Sequence, residues 1–161
     1  MDQHHYSTPV SRTLAVRPSD DSVSFSATVN ITEGLAHLAM TGGGGGTVEV
    51  GIRVRATVDG GPLPGCADRY FKLAKQTVPF VAIGTFAEGA PGGPFTIPGC
   101  VSSIPLGSRN ITVEVLAESY IALFAGQATA SLRGDGHGGR SLELLSQPRR
   151  RSRWQQRGQR L

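Results

Sequence analysis

TVEVGIRVRATVD, residues 47–59, alternates apolar and polar side chains at almost every step. Val48, Val50, Ile52, Val54, Ala56 and Val58 fall on one side; Glu49, Gly51, Arg53, Arg55, Thr57 and Asp59 fall on the other. A strand sends successive side chains to opposite faces, so this spacing predicts a long strand with one buried and one wet face. The same period marks Val23, Phe25, Ala27, Val29 and Ile31, and again Ile111, Val113, Val115 and Ala117. Shorter apolar runs occupy 35–40, 78–86 and 122–132, with weaker candidates at 12–16 and 94–98.

Between these runs lie GGGGG (42–46), DGGPLPG (59–65), EGAPGGP (88–94), PLGS (105–108) and GDGHGG (134–139). Each separator carries residues that reach positive φ or pre-set a turn. The pattern predicts about eight short strands joined by Gly/Pro turns, which is the mark of an antiparallel sandwich or barrel. The expected fold is therefore all-β, a Greek-key or jelly-roll-like sandwich with flexible N- and C-terminal arms. Strand order is not set by the pattern. One helical turn is expected in ADRYFKLAKQ (67–76), where Tyr70, Leu73 and Ala74 share an i, i+3, i+4 face. The segments read as an N-terminal arm (1–11), a sandwich domain (12–146) and an Arg-rich C-terminal arm (147–161).

Charge is informative once it is divided. The chain carries 16 Lys+Arg against 12 Asp+Glu, a net of +4. Six of the basic residues, Arg149, Arg150, Arg151, Arg153, Arg157 and Arg160, follow Pro148. The rest of the chain holds ten basic and twelve acidic groups, a net of −2. A uniformly basic nucleic-acid-binding body is thereby excluded. Twenty-two glycines and ten prolines disfavour long helices, and no run approaches the length of a membrane-spanning helix. The opening MDQHHYSTPVSRTLAV has no basic region followed by an apolar one, so synthesis in a cytosol without a signal peptide is expected.

Few residues ask for chemistry. LPGC (63–66) and IPGC (97–100) place Cys66 and Cys100 after matching Pro-Gly turns. They are a candidate disulfide, with two free thiols the alternative in a reducing compartment. Two cysteines without further ligands at suitable spacing make a poor zinc site. His4, His5, His37 and His137 lie apart in sequence, and no GxSxG nucleophile motif occurs. The glycine run 42–46 precedes a strand and lacks the Lys-Ser/Thr of a phosphate loop, so it reads as a hairpin loop. Arg133-Gly134-Asp135 invites an adhesion reading as an exposed tripeptide, but chance and Asp-Gly turn chemistry explain it at least as well. Asn30-Ile31-Thr32 and Asn110-Ile111-Thr112 match the glycosylation sequon but sit in apparent strands. Phe25, Phe80, Phe86 and Phe124 read as core residues. Tyr6, Tyr70, Tyr120 and Trp154 are left, too scattered in sequence to form a platform.

No enzyme, metal or cofactor is expected on this reading. The C-terminal arm, with Arg149, Arg150, Arg151, Arg153, Trp154, Arg157, Arg160 and Leu161, has two functional uses. Its arginines and aromatic ring suit an acidic partner surface, and they also suit phosphates and bases. A near-neutral β-body with polar arms and long Gly-rich loops fits a non-enzymatic assembly protein. The expectation is a virion component, such as a bacteriophage capsid decoration or cement protein or a small head or tail protein. Its partners would be further copies of itself, in a trimer or larger ring, and other virion proteins, with no membrane. The alternatives are a carbohydrate- or cell-surface-binding sandwich and a nucleic-acid-packaging protein that uses the tail.

Overall fold

The computed structural model describes residues 2–7, 9–134 and 140–148. Among these it holds nine strands and no helix. They are β1 (Asp2–Tyr6), β2 (Val10–Ala15), β3 (Asp20–Val58), β4 (Gly61–Pro62), β5 (Asp68–Gly89), β6 (Gly93–Ser103), β7 (Asn110–Leu123), β8 (Gln127–Gly134) and β9 (Arg140–Pro148).

The organising element is β3, 39 residues of continuous extended chain. β5 and then β6 pair along one side of it, from Arg55 back to Ser22. β7, β8 and β9 pair along the other side, from Val58 back to Asp20. The chain thus makes three long antiparallel passes, and the third crosses over the first to reach its far side. β1 and β2 add antiparallel to the outer edge of β7. In place of a free N-terminal arm, most of residues 2–15 are hydrogen-bonded into the sheet.

A flat ribbon of this length would leave apolar side chains wet on one face. It folds back on itself instead, giving two antiparallel sheets packed face to face, a β-sandwich. Val23, Phe25, Ala27, Val29 and Ile31 from the first limb of β3 pack with Ile52, Val54 and Ala56 from its second limb and with Ile111 and Val113 of β7. Nearer the bend, Ala36, Leu38 and Met40 meet Val48, Val50, Ala74 and Val78. The period-2 pattern thus supplies both inner faces.

Glycines make the bend possible. The β3–β5 register shifts between Thr41 and Gly44 and again between Gly44 and Gly46. Such bulges bend a strand so that it can pass from one sheet to the other. A side chain at Gly44 would place its Cβ 2.5 Å from the Ala125 carbonyl oxygen. Neighbouring passes bend at the same level: Gly84 of β5 has φ +133° and Gly126, between β7 and β8, has φ +113°. The glycine run is a structural corner, where the sequence suggests only a loop.

At the opposite end, Asp59 (φ 48°) and Gly60 (φ 84°) form the two-residue turn between β3 and β4. Both central residues at positive φ is the geometry that Asp-Gly favours in a hairpin. The Asp59 carboxylate also accepts the backbone N–H groups of Arg109 (3.0 Å) and Asn110 (2.8 Å). Nearby, a disulfide joins Cys66 to Cys100, with Cα atoms 6.2 Å apart. It ties the segment before β5 to β6, beside a Ser102 hydroxyl that donates to the Pro64 carbonyl at 2.6 Å.

The helical turn expected at 67–76 is a correction: the segment is β5. Val50 pairs with Ala74 but Gly51 pairs with Lys72, leaving Leu73 as an extra residue. Phe71 and Leu73 pack on one core cluster and Ala74 belongs to the other. The bulge turns two consecutive apolar residues inward, and that phase slip imitates a helical spacing.

Candidate partner-binding face

The outward side of the sheet built from β1, β7, the second limb of β3 and the start of β5 gathers residues far apart in sequence. Glu118 lies at its centre, only 3% exposed. Arg53 grips both carboxylate oxygens, donating from Nε to Oε2 and from Nη2 to Oε1 (3.2 Å). Its remaining fork atom, Nη1, donates to Asp68 at 2.7 Å. His4 of β1 approaches Glu118 Oε1 at 3.0 Å through Nδ1. Burial by itself pushes the Glu118 carboxyl up, but the Arg53 bonds, followed by His4, outweigh it and hold it below the usual range. Glu118 likewise raises Arg53, against a smaller opposing effect of burial.

Three tyrosines surround this cluster. The His4 ring lies 4.7 Å from Tyr120 and 6.3 Å from Tyr6. Arg55 sits over Tyr6 at 5.2 Å, and Arg53 over Tyr70 at 5.6 Å. Tyr70 lies across Gly51, where an added Cβ would fall 2.6 Å from the ring. Burial, and then Glu49, drive the Tyr70 hydroxyl well above its ordinary value. Sequence separation hid this grouping. It exists because β1 pairs with β7 and β7 with β3, which brings His4, Tyr120 and Glu49 into one row.

The corner changes the aromatic assignment further. Phe80 and Phe124, read as core residues from the sequence, are 55% and 77% exposed, and Ile83 is 75% exposed. Their runs look apolar on both sides because the strands are bending there, and at a bend the inward face rotates toward solvent. The two phenyl rings meet edge to face at 4.8 Å, on either side of the glycine corner. Phe124 N–H donates to the Gly45 carbonyl at 2.9 Å, which seats the turn. Beside the rings opens a cleft of about 320 Å³, lined by Asp2, Gly45, Thr47, Thr77, Phe80 and Phe124 among others. Val78, Ala122 and Leu123 complete a mainly apolar lining.

Of the sequence candidates, Cys66 and Cys100 are brought together as a disulfide at the end away from this cleft. Arg149, Arg150, Arg151, Arg153, Trp154, Arg157, Arg160 and Leu161 lie outside the described residues, as do Asp135 and His137. Asn30 and Asn110 lie in β3 and at the start of β7. Among the described residues no group of three or more His, Cys, Asp or Glu is placed to hold a metal ion. No described helix is long and apolar enough to cross a membrane. Comparison with known proteins finds no matching family model, curated protein or solved structure.

Proposed function

We propose that this chain is a non-enzymatic structural protein that assembles with other protein subunits, including copies of itself, through the aromatic corner and the adjoining sheet face. One observation carries the reading. Phe80 and Phe124 are large apolar side chains, both exposed, whose rings meet at a corner where neighbouring backbone closely approaches the glycines. Interface centres are enriched in aromatic anchors on preorganised surfaces, and clustered exposure of this kind is a cost that a solitary subunit has no reason to carry. A virion component, such as a capsid decoration or cement protein or a small head or tail protein, is the setting that best accommodates this body. The Cys66–Cys100 bond suits a particle that leaves the reducing cytosol.

The test is assembly state against the corner. Phe80→Ser with Phe124→Ser should lower the native mass measured by light scattering while the melting temperature hardly moves. Unchanged mass in the double variant would sink the assignment of the interface.

A second reading is favoured by a different observation, the grouping of Tyr6, His4 and Tyr120 beside Arg55 and Glu118. Aromatic faces next to charged hydrogen-bonding groups suit a sugar ring, so this face supports a carbohydrate-binding module. Calorimetric titration with an oligosaccharide panel separates the two readings. Saturable binding that Tyr6→Ala abolishes in a monomeric protein would favour the module.

A further inference from the structure

We infer that the cleft beside Phe80 and Phe124 receives the C-terminal segment 149–161 of a second copy of this chain, with Trp154 as its apolar anchor. The inference rests on the assembly reading and names the partner of the same site.

Where the described chain ends is the first support. Pro148 pairs with Asp20. That level of the sandwich is the end opposite the corner: Ile104 N–H donates to the Asp21 carbonyl, Ser22 pairs with Ser103, and Ser102 bonds the Pro64 carbonyl. The limb of β3 from 46 to 58 alone separates the two ends by roughly 40 Å. Trp154 follows Pro148 by six residues, and six extended residues reach about 22 Å at most. Covalent geometry therefore keeps Trp154 from its own cleft and leaves it available to a neighbour's.

Chemistry is the second support. The body carries a net −2 and the tail six arginines, so tail and body attract across copies. The cleft offers an indole the exposed edge-to-face pair of Phe80 and Phe124, and it offers a guanidinium the exposed Asp2 carboxylate, whose Oδ1 also accepts the Tyr120 hydroxyl at 3.5 Å. In the tail, Arg153 directly precedes Trp154 and Arg157 follows three residues later, so cations flank the indole in sequence. Donor and acceptor sites lie at opposite ends of the molecule, so the contact is head-to-tail. Head-to-tail contacts close into a ring when the rotation permits and otherwise run on as a filament.

Trp154 is the sole tryptophan, so its emission reads the tail directly. The experiment follows emission and light-scattering mass together for the full chain across a concentration series, alone and with a single-stranded oligodeoxythymidine. The expected result is a blue shift that rises in step with mass. Phe124→Ser and, independently, Trp154→Ser should each move assembly to at least about tenfold higher concentration, about 1.4 kcal/mol. Assembly with solvent-like emission, unaffected by Trp154→Ser, would overturn the tail assignment and leave the assembly reading standing. A blue emission independent of concentration would place Trp154 on its own chain and also overturn it. So would a blue shift seen only with the oligonucleotide. A chain monomeric throughout would end both readings.

Discussion

At the scale of single residues, Glu118 ties the outer face together. It is buried and held by Arg53 and His4, so removing its charge leaves a guanidinium with one remaining carboxylate. Glu118→Gln should cost about 3 kcal/mol in urea unfolding. The same contacts make stability depend on pH. Because the folded carboxyl titrates below the ordinary value of 4.5, the unfolded chain takes up its proton first as pH falls. Glu118 therefore contributes fully above pH 4.5 and its contribution is lost as pH drops through the folded value. Glu118→Gln should show a shallower loss of stability on acidification over that range; parallel curves would show that the pairing contributes nothing. Little of this was legible in the sequence. Arg53 reads simply as the wet side of an alternating strand, and Glu118 and His4 lie 65 and 114 residues from their partners. Phe80 and Phe124 depart from the sequence expectation for a related reason: composition marks a residue as apolar, while only the path of the backbone decides whether it is covered.

At the scale of elements, the alternating stretches were the legible part. Residues 23–31, 48–58 and 111–115 all supply the first core cluster or its continuation, as their period demands. The joins between them were not legible. Glycine runs specify freedom, and freedom serves a loop or a corner equally well. The difference lies in what approaches the backbone, here the Ala125 carbonyl at Gly44 and the Ala39 carbonyl at Gly126. Gly44→Ala should destabilise by roughly 1–3 kcal/mol through that contact, and Gly126→Ala by a similar amount through its positive φ as well. Thermal melts of both, set against Gly61→Ala, check this, since an added Cβ at Gly61 would meet nothing closer than 3.6 Å. Equal melting temperatures for all three would mean that the corner is not constrained. The β5 bulge teaches the same lesson from the other side. One extra residue shifts the phase of a strand, and a window that spans the shift mimics a helix.

At the scale of the whole molecule, the sandwich is closed at one end by covalent chemistry and turned at the other by glycine. The Cys66–Cys100 bond spans 34 residues, and reduction should lower stability by roughly 3–4 kcal/mol in the chain-entropy model. A reduced protein as stable to urea as the oxidised one would contradict that role. Charge is divided along the sequence, with a slightly acidic body and a strongly basic segment following Pro148. The ends of the described body thus differ, with an aromatic cleft at one and Pro148 at the other, and the proposed head-to-tail contact draws on that asymmetry. The most direct test is the native mass of the full chain and of its Phe80→Ser, Phe124→Ser double variant, measured by light scattering over the same concentrations. Assembly through the aromatic corner predicts a wild-type oligomer, a variant of monomer mass, and closely matching melting temperatures for the two. A wild-type chain that stays monomeric, or a variant of undiminished mass, would contradict it.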